Sequence, residues 1–447
     1  MSALASRRNL LDRAGKSNPL PEGTFAVGIG LLISGISAYL FQVVAARALG
    51  TDGFAPLAVM WAVTFVATPG FFLPVEQEVG RALAHRRSRG QGGAPVLLQA
   101  AKLGGGLAGL LIAVSLVASP VIVHSLFGDS WLLLVGFVLA LAGYYLGHLG
   151  RGALSGTNRF GAYGLYMGAE GLLRVIGVVA LALLGVDTVG PYGLAVGLPP
   201  ALAIALAVRR HRPLTEPGPD APWDELTSNL GWLLGGSVLA ALLLNAGPIA
   251  VKVLATDAEH DLAGRFFACL VISRVPLFLF QAVQASLLPK LAALAGAGRL
   301  DEFHVGFRRL LGVVVGIGVL ATVGALAVGP FAVRILFGAD YDLGRRTLTM
   351  LALASALYMV ALTLAQALIA LHGHARVVAG WLAGVAGFVV LTAVGRDLLL
   401  RVEVGLVAGS AAALAVMAWQ LQLRLAGGAR PQPGDVLEAL HEIPMEG

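Results

Sequence analysis

Charged residues and long polar segments are scarce in this sequence. Asp, Glu, Lys and Arg make up only 13% of its 447 residues, whereas soluble domains contain about 25%. The segments between its apolar runs are short. The composition therefore excludes a soluble globular protein, and the short loops leave no room for a catalytic domain outside the membrane.

Cysteine and a cleavable leader are also lacking. Cys269 is the single cysteine, so no intramolecular disulfide can form, and we expect a small buried apolar residue at this position. Residues 1–23 begin too polar for a signal peptide, and no small-residue cleavage site follows a short apolar core. We therefore expect the first apolar segment to remain in the membrane as an uncleaved anchor.

Apolar runs of helix length dominate the rest of the sequence. The mean hydropathy is +0.82, 57% of the residues are hydrophobic, and the 59 glycines suit closely packed transmembrane helices. With about 20 apolar residues as the unit, the pattern predicts an all-α polytopic membrane protein with about twelve spans. The predicted spans cover residues 25–46, 54–75, 102–123, 131–149, 163–184, 192–208, 230–253, 266–288, 310–328, 348–370, 377–394 and 404–419.

Two halves are predicted on either side of a polar, proline-rich stretch. Residues 1–208 form the first six-helix lobe in this interpretation, residues 209–229 a cytoplasmic linker, and residues 230–447 the second six-helix lobe with a short tail. Residues 119–128 align with residues 329–338, and Thr51-Asp52 aligns with Thr256-Asp257. Since both markers recur at a similar offset, the sequence favours a duplication that gives parallel repeats.

The formal net charge of +6 follows the membrane topology. Lys and Arg concentrate in alternate loops, which the positive-inside rule assigns to the cytoplasmic side. This distribution predicts a multi-pass protein with both termini in the cytoplasm, and it does not indicate binding to nucleic acid.

An arginine within the eighth span points to a polar path through the membrane. Arg274 lies inside the apolar run 271–291, where a mid-bilayer charge costs at least ~2.5–3.5 kcal/mol. Such a residue faces a water-filled path or a buried partner, and Pro276 nearby can kink the helix. Gln281 follows Arg274 by two helical turns and shares a face with Gln284, so these residues form a candidate path for a substrate headgroup.

Other polar residues of the spans are candidates for the same cavity. Gln42 in the first span and Asn245 in the seventh can serve as cavity hydrogen-bonding groups or as contacts between helices. Glu76, at the end of the second span, can face the cavity. Arg47 and Lys252 close the first and seventh spans, where each can guard a mouth of the cavity or extend to the interface.

A second charged pair lies in the fifth span. Glu170 and Arg174 are four residues apart on one helix face, which predicts an intramembrane ion pair, with a proton-linked switch as the alternative. His372 and His374 are weak indications of a metal, because no further ligand accompanies them. We expect no catalytic residue, no metal site and no cofactor.

Two stretches resemble a known superfamily. Residues 273–292, SRVPLFLFQAVQASLLPKLA, and residues 30–63, GLLISGISAYLFQVVAARALGTDGFAPLAVMWAV, resemble the MOP exporter superfamily and its polysaccharide-synthesis branch. The resemblance implies a MATE-like, V-shaped pair of lobes around a cavity that spans 1, 2, 7 and 8 line. It also implies a polyprenyl-phosphate-linked saccharide as substrate, membrane lipids and polysaccharide-assembly enzymes as partners, and a bacterial cytoplasmic membrane as the location.

Four functions compete at this point. The leading one is a flippase for lipid-linked saccharides in cell-envelope or exopolysaccharide biosynthesis. A cation-coupled multidrug exporter of the same fold is the second, although such exporters often depend on an acid in the first or seventh span, and neither span interior has one here. The third is a membrane-embedded polysaccharide polymerase. Such an enzyme needs a carboxylate or metal site with a substantial loop, and this sequence shows neither. The fourth is a non-transporting scaffold, for which mutation of Arg274, Gln281 and Gln284 should have little effect.

Overall fold

The computed structural model describes residues 24–211, 213–227, 230–277, 280 and 299–426, and these residues form helices joined by short turns, with no strand among them. Within this part of the chain, 10 helices are long and apolar enough to cross a membrane. One of them contains two of the predicted spans, and Leu262–Ser273 is a shorter apolar helix that begins another. The predicted all-α polytopic fold is therefore confirmed.

The helices that form the bundle are labelled in chain order. They are α1 (Thr24–Ser88), α2 (Ala94–Val117), α3 (Trp131–Gly156), α4 (Phe160–Leu183), α5 (Val189–Val208), α6 (Leu230–Leu254), α7 (Leu262–Ser273), α8 (Leu300–Leu336), α9 (Gly344–Ala370), α10 (His374–Thr392) and α11 (Leu398–Ala426). A short helix, Asp224–Thr227, precedes α6 in the linker.

α1 contains the first two predicted spans as two arms. Gly50 interrupts the helix with φ 69° and ψ −179°, a conformation that glycine adopts without the penalty of a Cβ atom. The chain reverses there, since the Phe41 ring before the break stacks on the Trp61 ring after it, with centroids 5.5 Å apart. Residues 24–49 are the first arm of α1, and residues 51–88 are its second arm.

The helices pack into two lobes. In the first lobe, the arms of α1 pack against α3, α4 and α5, with α2 beside α3; in the second, α6, α9, α10 and α11 pack together, with α8 against α9. Glycine permits the closest approaches: a Cβ atom at Gly164 of α4 would clash with the Ala26 carbonyl of α1. The exact lobe boundaries stay a prediction.

The third span of each lobe ends in the same way. Phe127 and Phe337 are buried, and each is followed by a glycine with positive φ, 56° at Gly128 and 123° at Gly338. These are the segments that align in the sequence, and their shared geometry supports the duplication.

The eighth span, predicted over residues 266–288 with a kink allowed at Pro276, is interrupted within its described part. α7 begins at Leu262 and ends at Ser273, and Arg274 is its C-cap. Pro276 has no N–H to donate to the carbonyl of Ile272, and it disfavours helical geometry in the preceding residue. Residues 275–277 are helical again, so Arg274 lies at a break in the span.

The described part of the linker is bound to the first lobe. Arg86, only 4% exposed, donates hydrogen bonds of 2.8 Å to both carboxylate oxygens of Glu225 and one of 2.7 Å to the Pro219 carbonyl. Arg159 donates to the carbonyls of His211 and Pro213, at 2.6 and 3.2 Å. Because a bidentate Arg–carboxylate pair is geometrically specific, this linker segment has a fixed position under the first lobe.

Candidate functional site

A cavity of about 490 Å³ lies between the two lobes. The second arm of α1 supplies its wall on the first lobe, and α6, α9, α10 and the break after α7 supply its wall on the second. Its polar and aromatic lining residues are Trp61, Phe65, Gln77, Trp232, Ser237, Asn245, Arg274, Tyr358, Gln366, His374 and Trp381. Both lobes thus contribute residues to one cavity, which is the usual place of a binding site in transporters built from two repeats.

Arg274 is the cation of this cavity. Its Nη1 donates to the Asn245 side-chain oxygen at 3.3 Å, and the phenol groups of Tyr39 and Tyr358 interact with its charge. Its Nε is buried and has no hydrogen-bond partner among the described residues. No carboxylate of the described residues forms an ion pair with it, so its positive charge is not neutralised within that part of the chain.

Asn245 is positioned by a proline in the opposite lobe. Pro69 has no N–H, so the carbonyl of Phe65 one turn earlier lacks its helical partner. The Asn245 side-chain nitrogen donates to that carbonyl at 3.4 Å, and Ser237 of the same helix donates to the Pro69 carbonyl at 3.0 Å. Pro69 therefore leaves a free carbonyl at Phe65 that α6 binds across the cavity.

The lobes are in contact at the predicted outer end. Arg47 donates to the carbonyl of Leu336 at 2.6 Å and to that of Ile335, which are unpaired acceptors at the C-terminus of α8. The Tyr341 hydroxyl donates to the Ala46 carbonyl at 2.8 Å. Arg47 is thus an exposed link between the lobes and does not line the cavity.

Aromatic packing completes this outer contact. Phe54 of the first lobe meets Phe267 and Tyr341 of the second, with ring centroids 6.2 and 5.9 Å apart. Asp52 and His260 approach within 3.2 Å across the same interface. At the other end of the cavity, Gln77 is exposed, so the cavity is closed toward the predicted outer side and continues toward the predicted cytoplasmic side.

Glu76 lies inside the first lobe, in a cluster separate from this cavity. Its carboxylate accepts hydrogen bonds from His148 at 2.8 Å, from Tyr163 at 3.1 Å and from Arg151. Its side chain also borders a second pocket near the start of α4. The four polar groups satisfy one another, as buried charges must.

Glu170 and Arg174 form the predicted ion pair. Arg174 donates to Glu170 and, at 2.8 Å, to the Tyr144 hydroxyl, and Tyr144 donates to Glu170 at 2.8 Å. Arg174 also lies over the Trp61 ring, 5.2 Å from its centroid. The pair therefore contacts the back of a residue that lines the cavity.

The remaining candidates are dispersed. Gln42 is 2% exposed, and neither its side-chain oxygen nor its nitrogen has a partner among the described residues. Lys252 is half-buried near the outer end of α6 and does not line the cavity. Gln281 and Gln284 lie outside the described residues. Of the eight cavity candidates, the structure therefore brings Arg274 and Asn245 together.

Sequence reasoning missed the aromatic and histidine members of these sites. Trp61, Phe65 and Tyr358 line the cavity, but in an apolar sequence they resemble ordinary lipid-facing or core residues. His148 and Arg151 are three residues apart at the end of an apolar run, so they share one helix face. This spacing could have indicated a polar face directed toward the protein interior.

No protein-family model matches the chain. An uncharacterised protein of Mycobacterium tuberculosis is 28% identical over 422 residues, which cover 90% of this chain and 92% of that protein. An uncharacterised protein of Mycobacterium bovis is 27% identical over 396 residues, which cover 86% of this chain and 88% of that protein.

Solved structures of similar fold are transporters. An inward-facing structure of a multidrug resistance MATE family transporter of the MOP superfamily matches with a TM-score of 0.70 at 15% identity, covering 91% of this chain and 98% of that one. An outward-facing structure of such a transporter matches with a TM-score of 0.64 at 14% identity, covering 90% and 94%. The chain has the fold of MATE family transporters of the MOP superfamily.

Proposed function

We propose that this protein is a membrane transporter that flips a lipid-linked saccharide across the bacterial cytoplasmic membrane by alternating access. The observation that carries the proposal is the half-buried cation that lines the cavity. Arg274 has neutral partners among the described residues and a buried Nε without a partner. An anionic headgroup, a phosphate or diphosphate, supplies the missing charge and acceptor oxygens.

The physical chemistry of the substrate fits this site. A sugar phosphate cannot cross about 30 Å of hydrocarbon without a polar path. A cavity between lobes that face lipid lets the headgroup pass through water and protein while the polyprenyl chain stays in the bilayer. The enzymes of polysaccharide assembly then supply this substrate on one side and consume it on the other.

The contacts between the lobes suit alternating access. At the outer end they include hydrogen bonds to carbonyls, aromatic edges and one exposed His–Asp pair. They lie beside direct packing of α7 on the second arm of α1, where Gly264 lies against Ala55. Such contacts can separate as the lobes rotate and form again on return.

A multidrug exporter is the second candidate, because the solved structures of similar fold include multidrug resistance transporters. Drugs of that class are frequently cationic and need an acid or an aromatic cage. The described lining residues include aromatic rings but no Asp or Glu, and Arg274 repels a cation. The sign of the charge in the cavity therefore favours an anionic substrate.

The experiment is complementation with a flipping readout. Wild type, Arg274→Ala, Arg274→Lys and the matched control Arg345→Ala, an exposed arginine, are expressed at equal membrane levels in cells that lack an oligosaccharide flippase. An enzyme confined to the outer face then modifies any lipid-linked saccharide that arrives. We expect activity in the wild type and in Arg345→Ala, partial activity in Arg274→Lys, and none in Arg274→Ala.

Each other outcome has a definite meaning. Activity in Arg274→Ala equal to the wild type would remove Arg274 as the headgroup contact. Failure of the wild type to flip in any host, together with export of cationic dyes, would replace the flippase with the exporter.

A further inference from the structure

Beside Arg274, the cavity wall of the first lobe is aromatic. Trp61 and Phe65 lie one turn apart on the second arm of α1, and their rings stack with centroids 4.6 Å apart at an angle of 25°. Both side chains are half-buried and line the cavity. Because Phe41 and Arg174 also lie over the Trp61 ring, the pair offers a ligand the Phe65 ring and the edge of the indole, next to a polar site.

A chain of hydrogen bonds fixes this aromatic pair relative to the cation. Arg274 donates to the Asn245 oxygen at 3.3 Å, and the Asn245 nitrogen donates to the Phe65 carbonyl at 3.4 Å. Arg274 and the two rings line one cavity, so a group joined to a phosphate at Arg274 can reach the aromatic pair.

Buried charges hold the pair from behind. Arg174, 2% exposed, lies 5.2 Å from the Trp61 ring centroid, and Glu170 and Tyr144 both accept its hydrogen bonds. Phe41 stacks on the same indole at 5.5 Å. These contacts restrict rotation of the indole, so ordering this side chain costs little conformational entropy when a ligand binds.

The rest of the cavity offers neutral hydrogen-bonding groups. Gln77, Ser237 and Gln366 line it with amides and a hydroxyl. A pyranose presents C–H groups on its ring face, which pack against aromatic rings, and hydroxyls at its edge, which need such neutral partners. A volume of about 490 Å³ accommodates a phosphate with a short saccharide.

We infer that the sugar joined directly to the phosphate is a pyranose and that it packs against the Phe65 ring and the adjoining edge of the Trp61 indole. Arg174 is a positioning residue in this arrangement, because it acts on the sugar only through Trp61. The inference rests on the proposed function and defines its substrate class more closely: a hexopyranosyl group next to the anion.

The test compares two lipids that differ only in the sugar. Full-length protein in nanodiscs is titrated with a polyprenyl diphosphate and with the same lipid carrying one N-acetylglucosamine. We expect the wild type to prefer the sugar-bearing lipid by about tenfold, the scale of one or two stacking contacts. In Phe65→Leu this ratio should fall close to unity, because the ring is lost while the backbone carbonyl that Asn245 binds remains.

Three further variants make the result specific. Trp61→Leu removes the second ring and serves if Phe65→Leu does not fold; it should also lower the ratio. Trp419→Ala removes an indole that is 58% exposed on the outside of the bundle and should leave the ratio unchanged. Arg174→Lys keeps the charge beside Glu170 but not the planar group over Trp61, and should lower the ratio by about threefold.

The outcomes separate this inference from the proposed function. Equal affinity of the wild type for both lipids would overturn the sugar subsite and retain the anionic lipid as substrate. Binding of neither lipid would overturn both. A tenfold preference that survives in Phe65→Leu and Trp61→Leu would contradict the subsite. Equal weakening of both lipids in Arg174→Lys would reduce Arg174 to a structural role.

Discussion

Charged side chains in the interior of the first lobe are paired with opposite charges, whereas the charged side chain in the cavity between the lobes is not, among the described residues. Inside the first lobe, Glu76 accepts hydrogen bonds from Arg151 and His148, and Glu170 pairs with Arg174. In the cavity, Arg274 has only neutral partners among the described residues. The first arrangement is complete without a ligand, and under the proposed function the second becomes complete when an anion binds.

This difference separates structural charge from binding charge. In a buried pair with satisfied hydrogen bonds, the attraction between the charges roughly offsets the cost of desolvating them. For an unpaired charge, no such attraction offsets the desolvation cost. Burial alone would have ranked Glu76 and Arg174 above Arg274 as functional residues, since they are more deeply buried. The absence of a counter-charge reverses that ranking.

Breaking a pair in the first lobe should give the largest loss of stability. Glu76→Leu leaves Arg151 buried beside Tyr163 and His148 without its carboxylate, which costs about 3–5 kcal/mol. Removing both partners, in Glu76→Leu with Arg151→Leu, should recover most of that loss because no charge is then stranded. Thermal unfolding in detergent, followed by tryptophan fluorescence, compares the three proteins; equal loss in the single and double variants would contradict the role of pairing.

Removing the cavity cation should not destabilise the protein, in contrast to breaking a pair in the first lobe. Arg274→Leu eliminates an uncompensated charge, so we expect the free energy of unfolding to stay the same or to rise by about 1 kcal/mol. A polyprenyl diphosphate at 100 times its Kd should stabilise the wild type by about 2.7 kcal/mol through linkage, and should leave Arg274→Leu unchanged.

The same melting assay supplies the control for this second prediction. Arg345→Leu removes an arginine that is exposed and should retain the full response to the lipid. A loss of stability in Arg274→Leu comparable with that in Glu76→Leu would show that Arg274 is a structural residue with a partner of its own.

The fold was largely predictable from sequence because membrane spans follow simple rules. Apolar runs near 20 residues mark helices, because in lipid the backbone must form its hydrogen bonds internally. The aligned segments ending at Gly128 and Gly338 favour a duplication. The break after Ser273 was harder to predict. A proline in a span is compatible with a kink or with a helix end, and only packing around Pro276 decides between them.

The site was predictable in part, and for a definite reason. A lone arginine in a long apolar run is visible in the sequence, because its cost in lipid demands an explanation. Partners are not visible, since the pairs Glu76–Arg151 and Asn245–Phe65 join residues distant in the chain. Arg47 illustrates the limit: its position at a span end is compatible with a cavity mouth, whereas its guanidinium binds the end of α8.

Arg47 offers a test of the contact between the lobes. Arg47→Ala removes the hydrogen bonds to the end of α8, each worth about 1.5–3 kcal/mol when charged and less at an exposed site, so we expect the outward-open population to rise by about tenfold. Spin labels on Asp187→Cys and Arg396→Cys, exposed positions of the two lobes, report the separation in a Cys269→Ala background. Arg334→Ala is the control, because Arg334 pairs with Asp342 of its own lobe at 2.7 Å.

The smallest effect is expected from an ion pair that is complete but exposed. Arg299 and Glu302, at the start of α8, approach within 2.5 Å while 58% and 54% of their side chains are exposed. Water replaces either partner there, so Glu302→Gln should change the free energy of unfolding by less than about 0.5 kcal/mol in the same melting assay. If Glu302→Gln cost as much as Glu76→Leu, pairing itself would determine stability. A negligible change would assign that role to the exclusion of water, which distinguishes buried Glu76 from the exposed Arg299–Glu302 pair.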